Sequence, residues 1–174
     1  MGLSQKYWFN GLPLSGVNNS SNDTGGQKFW FNGLPASPLY FSTNYSRGDY
    51  PSLPTTSTDL ETLYNSSDVT KVSTTDTDWV DQTATSMYAL HQFKDVVSGS
   101  SCTLTWIGKT DLAPSSSAVK LEIYKRSTST WEEVDSDNLS SAGTDFTLTA
   151  NIADLTNYKD GNNVVVCRVY QLSV

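Results

Sequence analysis

From about residue 59 onward the chain alternates apolar and polar residues with a period of two, in short runs separated by turn-rich loops. The clearest run sets Val119, Leu121 and Ile123 against Lys120, Glu122 and Tyr124. Only a pleated strand sends every second side chain to one face, so this segment is committed to β structure with one face toward a core. The pattern recurs at Phe146 and Leu148, and again at Val164, Val166 and Arg168, where both faces are apolar and a central strand is expected. Candidate strands are residues 70–73, 78–80, 86–93, 102–107, 119–125, 131–134, 145–150 and 164–171. Between them lie Ser98-Gly99-Ser100-Ser101, Asp111-Leu112-Ala113-Pro114-Ser115, Ser140-Ser141-Ala142-Gly143 and a long loop holding the turn dipeptide Asp160-Gly161.

So many short strands in one stretch point to an antiparallel sandwich, either jelly-roll or immunoglobulin-like. The immunoglobulin pattern fails: Trp106 follows Cys102 by four residues and cannot lie on the next strand, as the core Trp of those domains does. The expected fold is all-β, an antiparallel β-sandwich of jelly-roll type over residues 59–174, preceded by an extended, irregular N-terminal arm over residues 1–58. The arm holds Pro13, Pro35, Pro38, Pro51 and Pro54 and no sustained period, and Pro51-Ser52-Leu53-Pro54-Thr55-Thr56-Ser57-Thr58 reads as a boundary linker.

The arm repeats itself. Lys6-Tyr7-Trp8-Phe9-Asn10-Gly11-Leu12-Pro13 returns as Lys28-Phe29-Trp30-Phe31-Asn32-Gly33-Leu34-Pro35, identical at seven of eight positions. Three adjacent rings followed by Asn-Gly, a tight-turn signal, and Leu-Pro form a plug shaped for a pocket elsewhere. The polar segment between the copies buries almost nothing, so the two share no core of their own. The simplest alternative is an arm that folds back onto its own sandwich. Duplication argues for a repeating surface instead, because one domain offers one such groove and a lattice offers many. Tyr7, Trp8, Phe9, Leu12, Pro13, Phe29, Trp30, Phe31, Leu34 and Pro35 are therefore the expected partner-binding residues.

The body resembles the galactose-binding-like jelly-roll modules of carbohydrate-binding and virion-surface proteins. The resemblance rests on Val119-Lys120-Leu121-Glu122-Ile123-Tyr124-Lys125-Arg126, Ser129-Thr130-Trp131-Glu132-Glu133 and Thr144-Asp145-Phe146-Thr147-Leu148. It continues through Leu155-Thr156-Asn157-Tyr158 and Val164-Val165-Val166-Cys167-Arg168-Val169-Tyr170. The Trp-Phe-Asn-Gly-Leu-Pro signature is similar to short aromatic motifs of tailed-phage structural proteins. Together these resemblances imply a non-enzymatic virion structural protein of the capsid-decoration (cement) or head-fibre type. Such a protein would dock on the major capsid protein or another repeating virion subunit and display the sandwich outward. It would reach the virion surface from the host cytoplasm without a signal peptide.

Two other functions fit the residues. A carbohydrate-binding module would present Tyr124, Trp131 and Tyr158 to surface glycans by ring stacking. A self-assembling extracellular filament subunit would use its arm to complete copies of itself. Core packing is the favoured role for Trp106, whereas Trp131, bordering a Ser/Thr loop, suits either role.

Other chemistry finds little support. A net charge of −7 with scattered Lys and Arg argues against nucleic acid, and no run approaches the roughly 20 apolar residues of a membrane span. The start Met1-Gly2-Leu3-Ser4-Gln5-Lys6 has no apolar stretch behind its lysine. His91 is the one histidine, expected half-buried on a strand with a single hydrogen bond, and no nucleophile elbow accompanies it. The pairs Asp76/Asp78, Glu132/Glu133 and Asp135/Asp137 suit solvated turns, though Asp135-Ser136-Asp137-Asn138 has the oxygen density for a structural calcium. No other metal or cofactor is expected. Arg47-Gly48-Asp49 matches an integrin tripeptide and is expected to be an ordinary turn. Cys102 and Cys167 fit two reduced core thiols, a pairing that sequence alone leaves open.

Overall fold

The computed structural model describes residues 44–73 and 78–173 throughout, and the strand backbone of residues 2–8, 30–31 and 34–35. In chain order the elements are β1 (Gly2–Trp8), β2 (Trp30–Phe31), β3 (Leu34–Pro35), β4 (Ser46–Tyr50), β5 (Thr62–Leu63) and α1 (Ser66–Val72). They continue with β6 (Val80–Thr83), β7 (Tyr88–Val96), β8 (Cys102–Thr110), β9 (Val119–Lys125), β10 (Thr130–Asp137), β11 (Phe146–Ile152) and β12 (Val164–Leu172). A six-stranded sheet runs β10-β9-β12-β7-β4-β5 and a four-stranded sheet runs β11-β8-β1-β6, with antiparallel pairing throughout.

From β7 to β12, four of the five connections cross between the sheets, and only β9 to β10 is a hairpin within one sheet. This wrapping is that of a jelly roll. The doubly apolar β12 is central as its composition requires, lying between β7 and β9. Val119, Leu121 and Ile123 of β9 are fully buried, and so are Phe93, Leu104, Trp106, Leu148, Leu155 and Val169 around them. Trp106, with a tilted Phe146 ring 5.3 Å away, is a core residue. Burying a side chain of that size, roughly 200 Å², is worth about 5 kcal/mol at 25 cal/mol per Å². Cys102 and Cys167 are both buried and not joined by a disulfide, and burial pushes the Cys102 thiol up to about 11.

Three sequence expectations change. Residues 70–73 are not a strand: all but Ser73 belong to α1, and Ser73 caps its end. The helix is nucleated by a capping box, in which Asn65 Oδ1 accepts from the Asp68 amide at 2.9 Å and Asp68 Oδ2 accepts from the Asn65 amide at 3.2 Å. Val72 then seats in the main core. Next, the boundary at 58/59 moves toward the N-terminus, because β4 pairs along its whole length with β7, from Ser46 opposite Gln92 to Tyr50 opposite Tyr88.

Residues 51–58 are likewise a strap across the outer face of the six-stranded sheet rather than a linker. Arg168 Nη1 donates to the Pro54 carbonyl at 2.6 Å, Gln92 Nε2 donates to the Thr58 carbonyl at 2.8 Å, and the Leu60 amide donates to Ser46 Oγ at 3.0 Å. Beneath the strap a second small core gathers Leu60, Leu90 and Tyr170, with Tyr50, Leu53 and Tyr88 against it. The third change concerns β1, whose backbone enters the four-stranded sheet between β8 and β6. The expected arm therefore supplies a strand to the body.

Candidate functional site

The first aromatic copy lies partly within β1. Lys6, Tyr7 and Trp8 stand opposite Ile107, Trp106 and Thr105 of β8 in register. The second copy contributes β2 and β3, where Trp30 pairs with Pro35 and Phe31 with Leu34. That two-stranded sheet is separate from both sheets of the sandwich. Phe9, Leu12, Pro13 and Phe29 lie outside the described residues. Two nearly identical segments thus pair differently among the described residues: the first within the four-stranded sheet, the second between its own two short strands.

The three expected sugar-stacking residues do not converge. Tyr124 of β9 and Trp131 of β10 are direct register partners on the outer face, with ring centroids 5.1 Å apart at 65°. Tyr124 is 8% exposed. One face of the Trp131 ring is taken by the Arg168 guanidinium, 4.1 Å from its centroid. Arg168 also donates to Glu122 Oε2 from Nε at 2.7 Å and from Nη2 at 2.6 Å, while Tyr170 Oη donates to Glu122 Oε1 at 3.0 Å. Burial lowers the Arg168 pKa, and the Glu122 carboxylate counters that shift. Burial, and then the same carboxylate, pushes the Tyr170 phenol well up.

Tyr124 and Trp131 therefore wall a buried ion pair that pins the strap. They do not form an open stacking platform. Sequence reasoning missed this network, because Arg168 and Glu122 are 46 residues apart and meet only through the pairing of β12 with β9. The doubly apolar β12 with a single Arg in its middle was the available signal, since a charge on a central strand needs a partner.

Tyr158 lies elsewhere, on the loop between β11 and β12. Its hydroxyl donates to Glu132 Oε2 at 3.1 Å, and Lys125 Nζ sits 3.3 Å from the same oxygen and 5.9 Å from the ring centroid. Tyr158, Glu132, Thr149, Asn151 and Asp154 line an open groove of about 510 Å³ beside β10 and β11. A bulge between Glu133 and Asp135 shifts the β10 register there, and the Asp135 carboxylate accepts from the Thr149 amide of β11. The Thr156 hydroxyl and amide hold the Asp154 carboxyl below its usual range. The groove offers carboxylate and amide oxygens, a threonine hydroxyl and one ring, a set suited to hydrogen bonding with a polyol.

His91 is fully buried, with its Nδ1 hydrogen-bonded to the Tyr64 hydroxyl. The half-buried position expected for it gives way to a core one, because β7 is covered on both faces. Asp137, the other half of the calcium candidate, accepts from the amides of Leu139 and Ser140 and from the Ser140 hydroxyl. Among the described residues no group of three His, Cys, Asp or Glu side chains is placed to hold a metal ion. Arg47-Gly48-Asp49 is strand, not turn, within β4, and the Arg47 guanidinium donates to the Asp81 carbonyl.

A model of the family AF_1625_C, described as "Uncharacterized protein, C-terminal domain", matches residues 42–173, a span that begins just before β4. No curated protein and no solved structure matches the chain. With 132 of 174 residues matched (173 − 42 + 1), the chain belongs to the AF_1625_C family.

Proposed function

We propose that the chain is a non-enzymatic virion structural protein, of the decoration or head-fibre kind, attached to a repeating capsid or other virion surface by its duplicated aromatic segment. The observation that carries this reading is the unequal use of the two copies. Copy one is engaged in β1, whereas among the described residues the strands of copy two, Trp30–Phe31 and Leu34–Pro35, pair with each other and not with the strands of the sandwich. The second copy is then the attachment element. Burying one Trp and one Leu against a partner contributes several kcal/mol at about 25 cal/mol per Å² before the cost of ordering the segment.

The test is co-sedimentation of the full chain with particles assembled without it, comparing wild type with Trp30→Ala. The variant should lose attachment at least about tenfold while its thermal unfolding midpoint stays unchanged. Equal attachment would refute the reading. Trp8→Ala is the less informative change, because Trp8 lies on a strand of the body.

A second reading, binding of surface glycans, is supported by the polar groove around Tyr158. A glycan array on which wild type and Tyr158→Ala give the same signals removes it.

A further inference from the structure

The four-stranded sheet is closed by a strand that comes from far away in sequence. With β1 removed, β8 keeps β11 on one side and presents an unpaired edge on the other, and β6 has no partner in that sheet. An unpaired edge is a template for any strand of matching register and length. The sequence carries two segments matched to this edge. The repeat extends one residue toward the N-terminus, so Gln5-Lys6-Tyr7-Trp8 is matched by Gln27-Lys28-Phe29-Trp30. Those first-copy residues stand opposite Gly108, Ile107, Trp106 and Thr105 of β8.

We propose that the slot between β8 and β6 is a strand-acceptor site, and that the second aromatic copy of one chain fills this slot in a neighbouring copy of the same chain. The inference rests on the reading of this protein as part of a repeating surface, and names the neighbour. Each chain has one slot and two donors. Where the first copy keeps its own slot, the second attaches to the surface beneath; where a neighbour's second copy takes the slot, the displaced first copy is released for that surface. A strand given head to tail in this way joins subunits in open series.

The residues that differ between the copies set which donor prevails. Before the matched stretch, copy one has Gly2-Leu3-Ser4 and copy two has Thr24-Gly25-Gly26. Leu3 and Ser4 pair with Gln82 and Asp81 on β6 and with Thr110 and Lys109 on β8. Two adjacent glycines at those positions weaken a strand. The first copy therefore wins within its own chain at low concentration, and the second enters a neighbour's slot where subunits are crowded.

The experiment uses full-length chains and cross-strand thiols. One chain carries Lys28→Cys and a second carries Ile107→Cys, a half-buried position opposite Lys6. The two are mixed at high concentration with oxidised glutathione, and Leu139→Cys, at an 84% exposed position, replaces Ile107→Cys as the collision control. The native Cys102 and Cys167 are buried and stay out of the exchange.

The expected result is a disulfide-linked dimer at least about tenfold above the control. Adding Leu3→Gly and Ser4→Gly to the acceptor chain should raise it several-fold. Gly26→Cys with Lys109→Cys is a second pair in the same register, for use if Ile107→Cys misfolds. A yield equal to the control in both pairs overturns the proposal. So does failure of Lys6→Cys and Ile107→Cys to join within one chain, since the slot would then not hold even its own donor. Absent cross-links with attachment still lost in Trp30→Ala would sink the pairing of copies alone. Cross-links with attachment intact in Trp30→Ala would sink the assignment of attachment to the second copy alone.

Discussion

Asp95 should make this protein less stable as pH rises through neutrality. It lies on β7, is 2% exposed, and has no cation within hydrogen-bonding reach in the described structure; its carboxylate accepts from the Tyr45 hydroxyl at 3.0 and 3.1 Å. Loss of hydration raises its pKa from 3.8 to about 7, against the smaller opposing effect of the Tyr45 hydrogen bond. The unfolded chain releases this proton near 3.8 and the native chain near 7. Between those values the native state holds the extra proton. The stabilisation is complete below the lower pKa and is lost as pH rises through the upper one.

The full gap, at 1.36 kcal/mol per pH unit, is worth about 4 kcal/mol, of which about 2.5 kcal/mol falls between pH 5 and pH 8. With a urea slope of about 1.5 kcal/mol per M, the midpoint should fall by about 1.5 M across that interval. Asp95→Asn keeps an acceptor for Tyr45 and cannot ionise, so the difference between wild type and variant isolates this group from His91 and the surface carboxylates. Urea titrations at pH 5 and pH 8 decide the matter. A wild-type midpoint that does not fall, or one that falls equally in Asp95→Asn, refutes the assignment.

Arg168→Met should destabilise by about 3 to 5 kcal/mol, because Glu122 is left buried without its counter-ion, and protease should then cut within residues 51–58 as the Pro54 contact is lost. Thermal melts and limited proteolysis read the two effects, and an intact strap in the variant would argue that Arg168 does not pin it. Asn65→Ala removes the cap of a helix only seven residues long and should cost about 1 kcal/mol by denaturant titration. A change within error would mean that Val72 packing alone holds α1 in place.

The strands whose side chains alternate were legible from the sequence because one buried face imposes period two locally. The expected 119–125 coincides with β9, and the others fall within a few residues of β7, β8, β10, β11 and β12. What escaped was whatever depends on distant partners. Ser46-Arg47-Gly48-Asp49-Tyr50 has no apolar alternation and is a strand only because β7 lies beside it. The helix at 66–72 is too short to show a period, and its one local sign was Asn65 with Asp68 three residues on. At the candidate sites, sequence located the aromatic residues and not their state. Trp131 and Tyr124 are identifiable as rings from the chain alone, but their coverage by Arg168 follows from pairing between β12 and β9.

The position of β1 also dictates an order of events during folding. Its contacts with β8 span about 100 residues, and closing a loop of that length costs about 4 kcal/mol of chain entropy before any pairing offsets it. Every other strand of the sandwich from β7 to β12 finds a neighbour at shorter range through β9–β10, β8–β11 or β7–β12. The sandwich should therefore assemble first with a vacancy in its four-stranded sheet, and β1, although synthesised earliest, should be the last strand to dock. For that interval the newly made chain is a nearly finished body beside two tethered candidates for one position, and the time β1 takes to settle sets how long the choice stays open.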